Sequence, residues 1–104
     1  MENDKRALSW QEFVNSGFDG RDYKFPDFEG TYNATIVCKR WGASRNLIAY
    51  CIMNDGRKVI ATGWSEKNYL GLADIPVGTQ VKLTFQRISP GKIYLKRVER
   101  TNMG

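Results

Sequence analysis

Five short runs of alternating apolar and polar residues lie between residues 31 and 98, and turn signals separate them. The first run is Thr31–Trp41, and the second, Asn46–Met53, follows a turn at 42–44. Asp55 and Gly56 then supply a tight-hairpin signal before the third run. Alternation with a period of two is typical of strands that bury one face. The sequence therefore predicts an all-β domain.

The remaining runs complete a set of five strands. They are Lys58–Trp64, Thr79–Ile88 and Lys92–Val98. Residues 65–74, between the third and fourth runs, lack the alternation, and Ser65 can cap a short helix there. An SH3-like barrel normally lacks this helix, and a β-sandwich needs about seven strands. Three strands, a short helix and two strands instead follow the element order of an OB barrel, so we expect a five-stranded OB-like barrel.

Over residues 30–100 the chain resembles OB-fold nucleic-acid-binding proteins of the single-stranded DNA-binding type. The resemblance is carried by the element order, by the glycine-led entry to the fourth strand in Ile75–Leu83, and by the segment Lys92–Leu95. It implies a barrel that binds single-stranded nucleic acid largely without sequence preference, with DNA as the first candidate and RNA as the alternative. OB domains also bind oligosaccharides and proteins.

Residues 1–29 precede the predicted barrel and follow a different pattern. Ser9 and Glu12 fit a capping box, which predicts a short helix that ends near residues 15–17. Residues 18–28 then hold four aromatic residues in an extended segment that contains glycine and proline. We expect the helix and this arm to pack on the barrel. Residues 101–104 form a short polar tail.

Positive charge is concentrated in the predicted barrel. Residues 31–104 hold twelve Lys and Arg against four Asp and Glu, a net charge of +8, whereas residues 1–30 hold four against seven, a net charge of −3. Concentrated positive charge is typical of proteins that bind polyanions. A basic surface that only maintains solubility has the same composition and remains the alternative.

Composition also narrows the function classes. The chain has no histidine, the commonest general base near neutral pH, and no motif that joins a nucleophile, a base and an orienting group. We therefore expect no catalytic residues and no cofactor.

The two cysteines, Cys38 and Cys51, are too few for a four-ligand metal site. We expect them to be buried free thiols, with a disulfide as the alternative.

Localisation follows from the absence of two kinds of segment. No apolar run reaches the ~18 residues that a membrane span requires. The first ten residues also lack the apolar stretch of a signal peptide. We therefore expect a cytoplasmic protein that does not enter a membrane.

Proteins that bind single strands combine cations along the phosphates with flat rings on which bases stack. We expect the stacking rings to be Trp41, Tyr50, Trp64 and Tyr94, which the alternation places on outward faces. Two of them have alternatives, since Trp64 can close the end of the barrel and the N-terminal segment can cover Tyr50. The candidate phosphate-binding residues are Lys39, Arg40, Arg45, Arg57, Lys58, Lys82, Arg87, Lys92 and Lys96.

The main hypothesis is therefore binding of single-stranded nucleic acid through a basic, aromatic-bearing face of the barrel. The alternative is a small protein-interaction or inhibitor module that uses the same barrel and its N-terminal arm. Salt dependence separates the two, because phosphate binding weakens steeply with salt and an apolar interface does not.

Overall fold

The computed structural model of the protein describes residues 7–42, 46–62, 72 and 74–101. Its elements are α1 (Trp10–Asn15), β1 (Gly30–Trp41), β2 (Leu47–Met53), β3 (Lys58–Thr62), β4 (Gln80–Ser89) and β5 (Lys92–Arg100). The five strands form one sheet in the order β3-β2-β1-β4-β5, and every pairing is antiparallel. The prediction of a β fold with five strands is confirmed.

The sheet is not a closed barrel, so the predicted OB-like barrel is confirmed only as a five-stranded antiparallel β fold. Closure requires a hydrogen-bonded ladder between the edge strands β3 and β5, and the described residues form no such ladder. The edge of β3 pairs instead with the N-terminal arm, where Lys24 N–H donates to Lys58 O at 3.3 Å and Ile60 N–H donates to Lys24 O at 2.9 Å. The sheet nevertheless curls until Cα atoms of β3 and β5 lie within 8 Å.

The short N-terminal helix forms as the sequence predicts. Ser9 Oγ accepts a hydrogen bond from Glu12 N–H at 3.2 Å, and the Glu12 carboxylate accepts one from Ser9 N–H at 2.8 Å. This reciprocal pair satisfies two backbone donors that a helix start leaves without partners. The second predicted helix, within residues 65–74, lies outside the described residues except for Leu72 and Asp74.

The inner face of the curled sheet carries the hydrophobic core. Its buried side chains from β2 and β4 are Leu47, Ala49, Cys51, Met53, Val81, Leu83 and Phe85. Each set occupies alternate positions of its strand, as a strand with one face toward the core requires. The alternation of residue types in the sequence therefore agrees with the buried and outer faces of β2 and β4.

A bulge in β1 reverses the faces predicted for the end of that strand. The register between β1 and β2 shifts between Ile36 and Cys38, and an extra residue at a bulge moves the following side chains to the opposite face. Cys38 therefore joins the outer side of the sheet, whereas Lys39 turns into the core and is fully buried. The predicted outward orientation of Lys39 is wrong.

The N-terminal arm covers the outer face of β2 with aromatic rings. The Tyr50 ring centroid lies 5.5 Å from that of Phe13, 5.1 Å from that of Phe18 and 5.4 Å from that of Tyr23. We call this group, together with Cys38, the outer aromatic cluster. Both faces of β2 are therefore buried, one by the core and one by the arm.

The two cysteines are free thiols on opposite faces of the sheet. Cys38 lies in the outer aromatic cluster and Cys51 in the core, so the sheet separates them and no disulfide joins them. Burial raises the pKa of both thiols, that of Cys51 to about 12.

Candidate nucleic-acid interface

A groove of about 710 Å³ lies between the start of α1 and the turn that joins β1 to β2. We call it the tryptophan groove. It is lined by Ser9, Trp10, Arg40, Trp41, Gly42, Asn46 and Ile48. Trp10 exposes 60% of its surface and Trp41 exposes 38%. Arg40 and Trp41, both predicted from the sequence, therefore meet a second tryptophan, Trp10, which α1 supplies.

Trp10 is the outermost ring of a stacked aromatic column. Its ring centroid is 5.8 Å from that of Phe13, with 26° between the planes, and Phe13 stacks on Tyr50 at 5.5 Å and 15°. The column ends at Tyr50, which is buried and belongs to the sheet. Phe13 thus supports one side of Trp10 and leaves much of its surface open to a ligand.

Arg40 lies beside this column and is held by it. Its guanidinium carbon is 5.2 Å from the Trp10 ring centroid and 5.1 Å from that of Phe13, distances typical of cation–π contacts. Nε also donates to the Tyr50 hydroxyl at 3.0 Å. A guanidinium carries five N–H donors, and the bond to Tyr50 uses one of them. Arg40 is therefore a positioned cation with donor capacity at the groove.

Asn46 joins the tryptophan groove to a second groove beside β5. The second groove has a volume of about 390 Å³, and its lining includes Asn46, Phe25, Lys92 and Tyr94. We call it the β5 groove. Phe25 exposes 61% of its surface, and Tyr94 is half-buried. Aromatic rings and a cation therefore lie on each side of Asn46.

Lys39, predicted to contact phosphate, serves the fold instead. Its Nζ donates to Leu72 O at 2.9 Å and to Ile75 O at 2.6 Å, so it ties the connection between β3 and β4 to the core. Burial lowers the pKa of Lys39. A fully buried ammonium bonded to backbone carbonyls has no access to a phosphate.

Arg57 and Lys58 are held against the arm at the hairpin between β2 and β3. The Arg57 guanidinium carbon lies 4.5 Å from the Phe28 ring centroid, and its Nε is 2.8 Å from the Asp55 carboxylate. The backbone N–H of Arg57, and then its side chain, lower the pKa of Asp55. Lys58 Nζ lies 5.7 Å from the Tyr23 ring centroid. These two cations therefore contact the arm and are not part of either groove lining described above.

The predicted residues of β4 and β5 divide between two places. Lys92 and Tyr94 line the β5 groove. Lys82 lies on the uncovered outer face, opposite Glu99 in the register of β4 and β5, and Arg87 and Lys96 are exposed. The eleven predicted residues that the structure describes therefore do not form one patch.

Two predicted residues, Arg45 and Trp64, lie outside the described part of the chain. Sequence reasoning missed Trp10, Phe25 and Asn46 as groove residues. The capping box does mark Trp10 as the first residue of the helix, and a helix of six residues is too short to bury all its large side chains. The capping box and the short length of the helix together indicate that the Trp10 ring is exposed.

Two kinds of feature are absent from the described residues. Among them, no group of three or more His, Cys, Asp and Glu side chains is arranged to hold a metal ion. Within the same residues, no helix has both the length and the apolar character needed to cross a bilayer.

No family model, curated protein or solved structure matches the chain. We therefore infer function from the two grooves and their charge.

Proposed function

We propose that the protein binds single-stranded nucleic acid, with DNA as the first candidate, along the tryptophan groove and the adjoining β5 groove. The observation that carries this proposal is the pairing of an exposed, supported Trp10 with a positioned Arg40 in one groove. Single-strand binders need such a pairing, because bases stack on rings while cations neutralise the phosphates.

Stacking on Trp10 suits this role because the ring is already fixed. Phe13 and Tyr50 hold it from below, so a base that stacks on Trp10 orders little additional protein. Base–aromatic stacking contributes about 1–3 kcal/mol for each base. Trp10 exposes 60% of its surface in a groove that also holds Arg40, so the ring is accessible to a base.

The charge distribution supports a polyanion as the occupant. Residues 31–104 carry a net charge of +8, and each groove has a cation in its lining, Arg40 in one and Lys92 in the other. A chain that follows both grooves meets rings and cations in alternation. Aromatic faces accept every base, so we expect little sequence preference from stacking alone.

We also propose that the fold is an OB-like barrel left open between β3 and β5. Two features support the likeness to an OB barrel. β1 lies between β2 and β4, and the edge strands β3 and β5 lie close together. OB folds bind oligonucleotides with the loops that join strands 1–2 and 4–5. The first of these loops borders the tryptophan groove at Gly42 and Asn46, and the second borders the β5 groove at Gly91 and Lys92.

The structure departs from the OB pattern in one respect, the face that is open to a ligand. OB folds also use the face of strands 2 and 3 for ligands. Here Phe13 of α1 and Phe18 and Tyr23 of the arm pack on that face against Tyr50. Ile60 of β3 packs against the same cluster. We therefore assign the ligand to the grooves at the border of the arm.

Fluorescence anisotropy of a labelled oligo-dT of about 20 nucleotides tests the proposal, since one OB fold covers ~4–16 nucleotides. We expect binding that exceeds binding to a duplex of equal length and that weakens steeply between about 50 mM and 200 mM salt. Absence of binding at the lower salt concentration overturns the proposal and favours the protein-interaction alternative.

A further inference from the structure

The side-chain amide of Asn46 has one fixed orientation. Asn46 Nδ2 donates to Thr62 Oγ1 at 3.1 Å, and Thr62 Oγ1 donates its own proton to Leu47 O at 3.0 Å. Because a hydroxyl has a single proton, Thr62 can only accept from Asn46. The amide nitrogen must therefore face Thr62, and the carbonyl oxygen Oδ1 must face the opposite way.

That opposite side is the tryptophan groove. A Cβ built on Gly42 would lie 2.5 Å from Asn46 Oδ1, so the oxygen occupies space that only a glycine leaves open. Gly42 and Asn46 both line the tryptophan groove, whereas Thr62 lines the β5 groove. Within the described part of the chain, Nδ2 is engaged and Oδ1 accepts no hydrogen bond. The groove therefore presents a positioned acceptor beside its two tryptophans.

We infer that Asn46 makes the tryptophan groove prefer bases that carry an exocyclic amino group, with cytosine favoured over uracil and thymine; this inference rests on the function proposed above. Cytosine presents an N4 amino donor where thymine, like uracil, presents the O4 acceptor. A donor satisfies Asn46 Oδ1, whereas a carbonyl oxygen in the same place repels it and leaves it unpaired. Stacking supplies the affinity and Asn46 supplies the selection.

The test compares labelled oligo-dC and oligo-dU of equal length, because the two bases have similar ring size and differ in donors and acceptors at C4 and N3. For the natural protein we expect the dissociation constant for oligo-dC to be roughly threefold to tenfold lower, the effect of one hydrogen bond. Anisotropy titrations at low salt measure both constants.

Two variants locate the preference. Asn46→Ala removes the acceptor, so the ratio of the two constants should fall to about 1. Thr62→Val keeps the shape of the side chain but releases the amide, so the ratio should fall while Asn46 remains present. Thermal unfolding of each variant confirms that it is folded, and Gln86→Ala on the outer face of β4 serves as the control that keeps the natural ratio.

The outcomes separate this inference from the proposed function. Equal affinity of the natural protein for oligo-dC and oligo-dU overturns the inference and leaves the proposed function intact. A preference that survives in Asn46→Ala also overturns it, because another group must then read the base. Failure to bind either oligonucleotide overturns the proposed function and this inference with it.

Discussion

The outer surface of the sheet has two halves that differ in what covers them. On β2 and β3, Ile48, Tyr50, Ile52 and Ile60 are apolar and lie beneath the arm. On β4 the outward residues Lys82 and Gln86 are polar and exposed. The covered half gains stability from burial, and the open half gains solubility. The grooves lie beside the arm, where aromatic rings and cations occur together.

The largest expected effect is on the stability of the covered half. Tyr50→Ala removes the ring on which Phe13, Phe18 and Tyr23 pack, and we expect a loss of about 3–5 kcal/mol in the free energy of unfolding. Tyr94→Ala on β5 is the matched control, with an expected loss of about 1 kcal/mol because that ring is only half-buried. Urea unfolding followed by circular dichroism measures both. Equal losses would remove the distinction between the halves.

The next effect concerns binding. Trp10→Ala should weaken the affinity for oligo-dT roughly tenfold to a hundredfold, because it removes a stacking ring. Val14→Ala is the control, since Val14 lies on the same helix, is also exposed and does not line the groove. Anisotropy titrations of both variants measure the change. If Trp10→Ala binds as tightly as Val14→Ala, then stacking in the tryptophan groove does not occur.

A third prediction uses the two cysteines to test whether the N-terminal segment shields Cys38 on the outer face of the sheet. Only a thiolate reacts with a thiol reagent, and burial raises the pKa of both cysteines, so both should react slowly in the natural protein. Phe13→Ala loosens the arm, and we expect Cys38 to react severalfold faster while Cys51 in the core stays protected. A kinetic assay with a coloured thiol reagent follows the two rates. Faster reaction of both cysteines together would indicate global unfolding instead.

The smallest effect distinguishes the cations of the groove from those of the open half. Lys92→Ala should reduce the magnitude of the slope of log affinity against log salt by about 0.7, the value for one phosphate contact with a single strand. Lys82→Ala should leave the slope unchanged, because Lys82 lies opposite Glu99 and outside both grooves. A larger change for Lys82→Ala would place the ligand on the open half.

Local patterns predicted much of the fold. The alternation of Val81, Leu83 and Phe85 identified the inner face of β4, and Ser9 with Glu12 identified the start of α1. These features depend on neighbours within a few residues. Closure of the barrel depends on which segment pairs with the edge of β3. The hydrogen bonds of Lys24 with that edge join residues far apart in the sequence, so local patterns do not predict them.

The candidate site was predicted only in part for the same reason. Arg40 and Trp41 were identified from their types and positions and do line the groove. The bulge after Ile36 has no mark in the sequence, and it buries Lys39 while turning Arg40 toward Tyr50. Tyr50 itself is covered because the arm returns over β2. Contacts between distant segments therefore decided which predicted residues are accessible.

Photochemical cross-linking to an oligonucleotide that contains 5-bromouracil tests the central claim most directly. Mass spectrometry of the digested complex then identifies the residue that touches the base. We expect cross-links at Trp10 or Trp41, the two rings of the tryptophan groove. Cross-links confined to the open face of β4 and β5 would contradict base stacking in the groove and assign binding to the other half of the sheet.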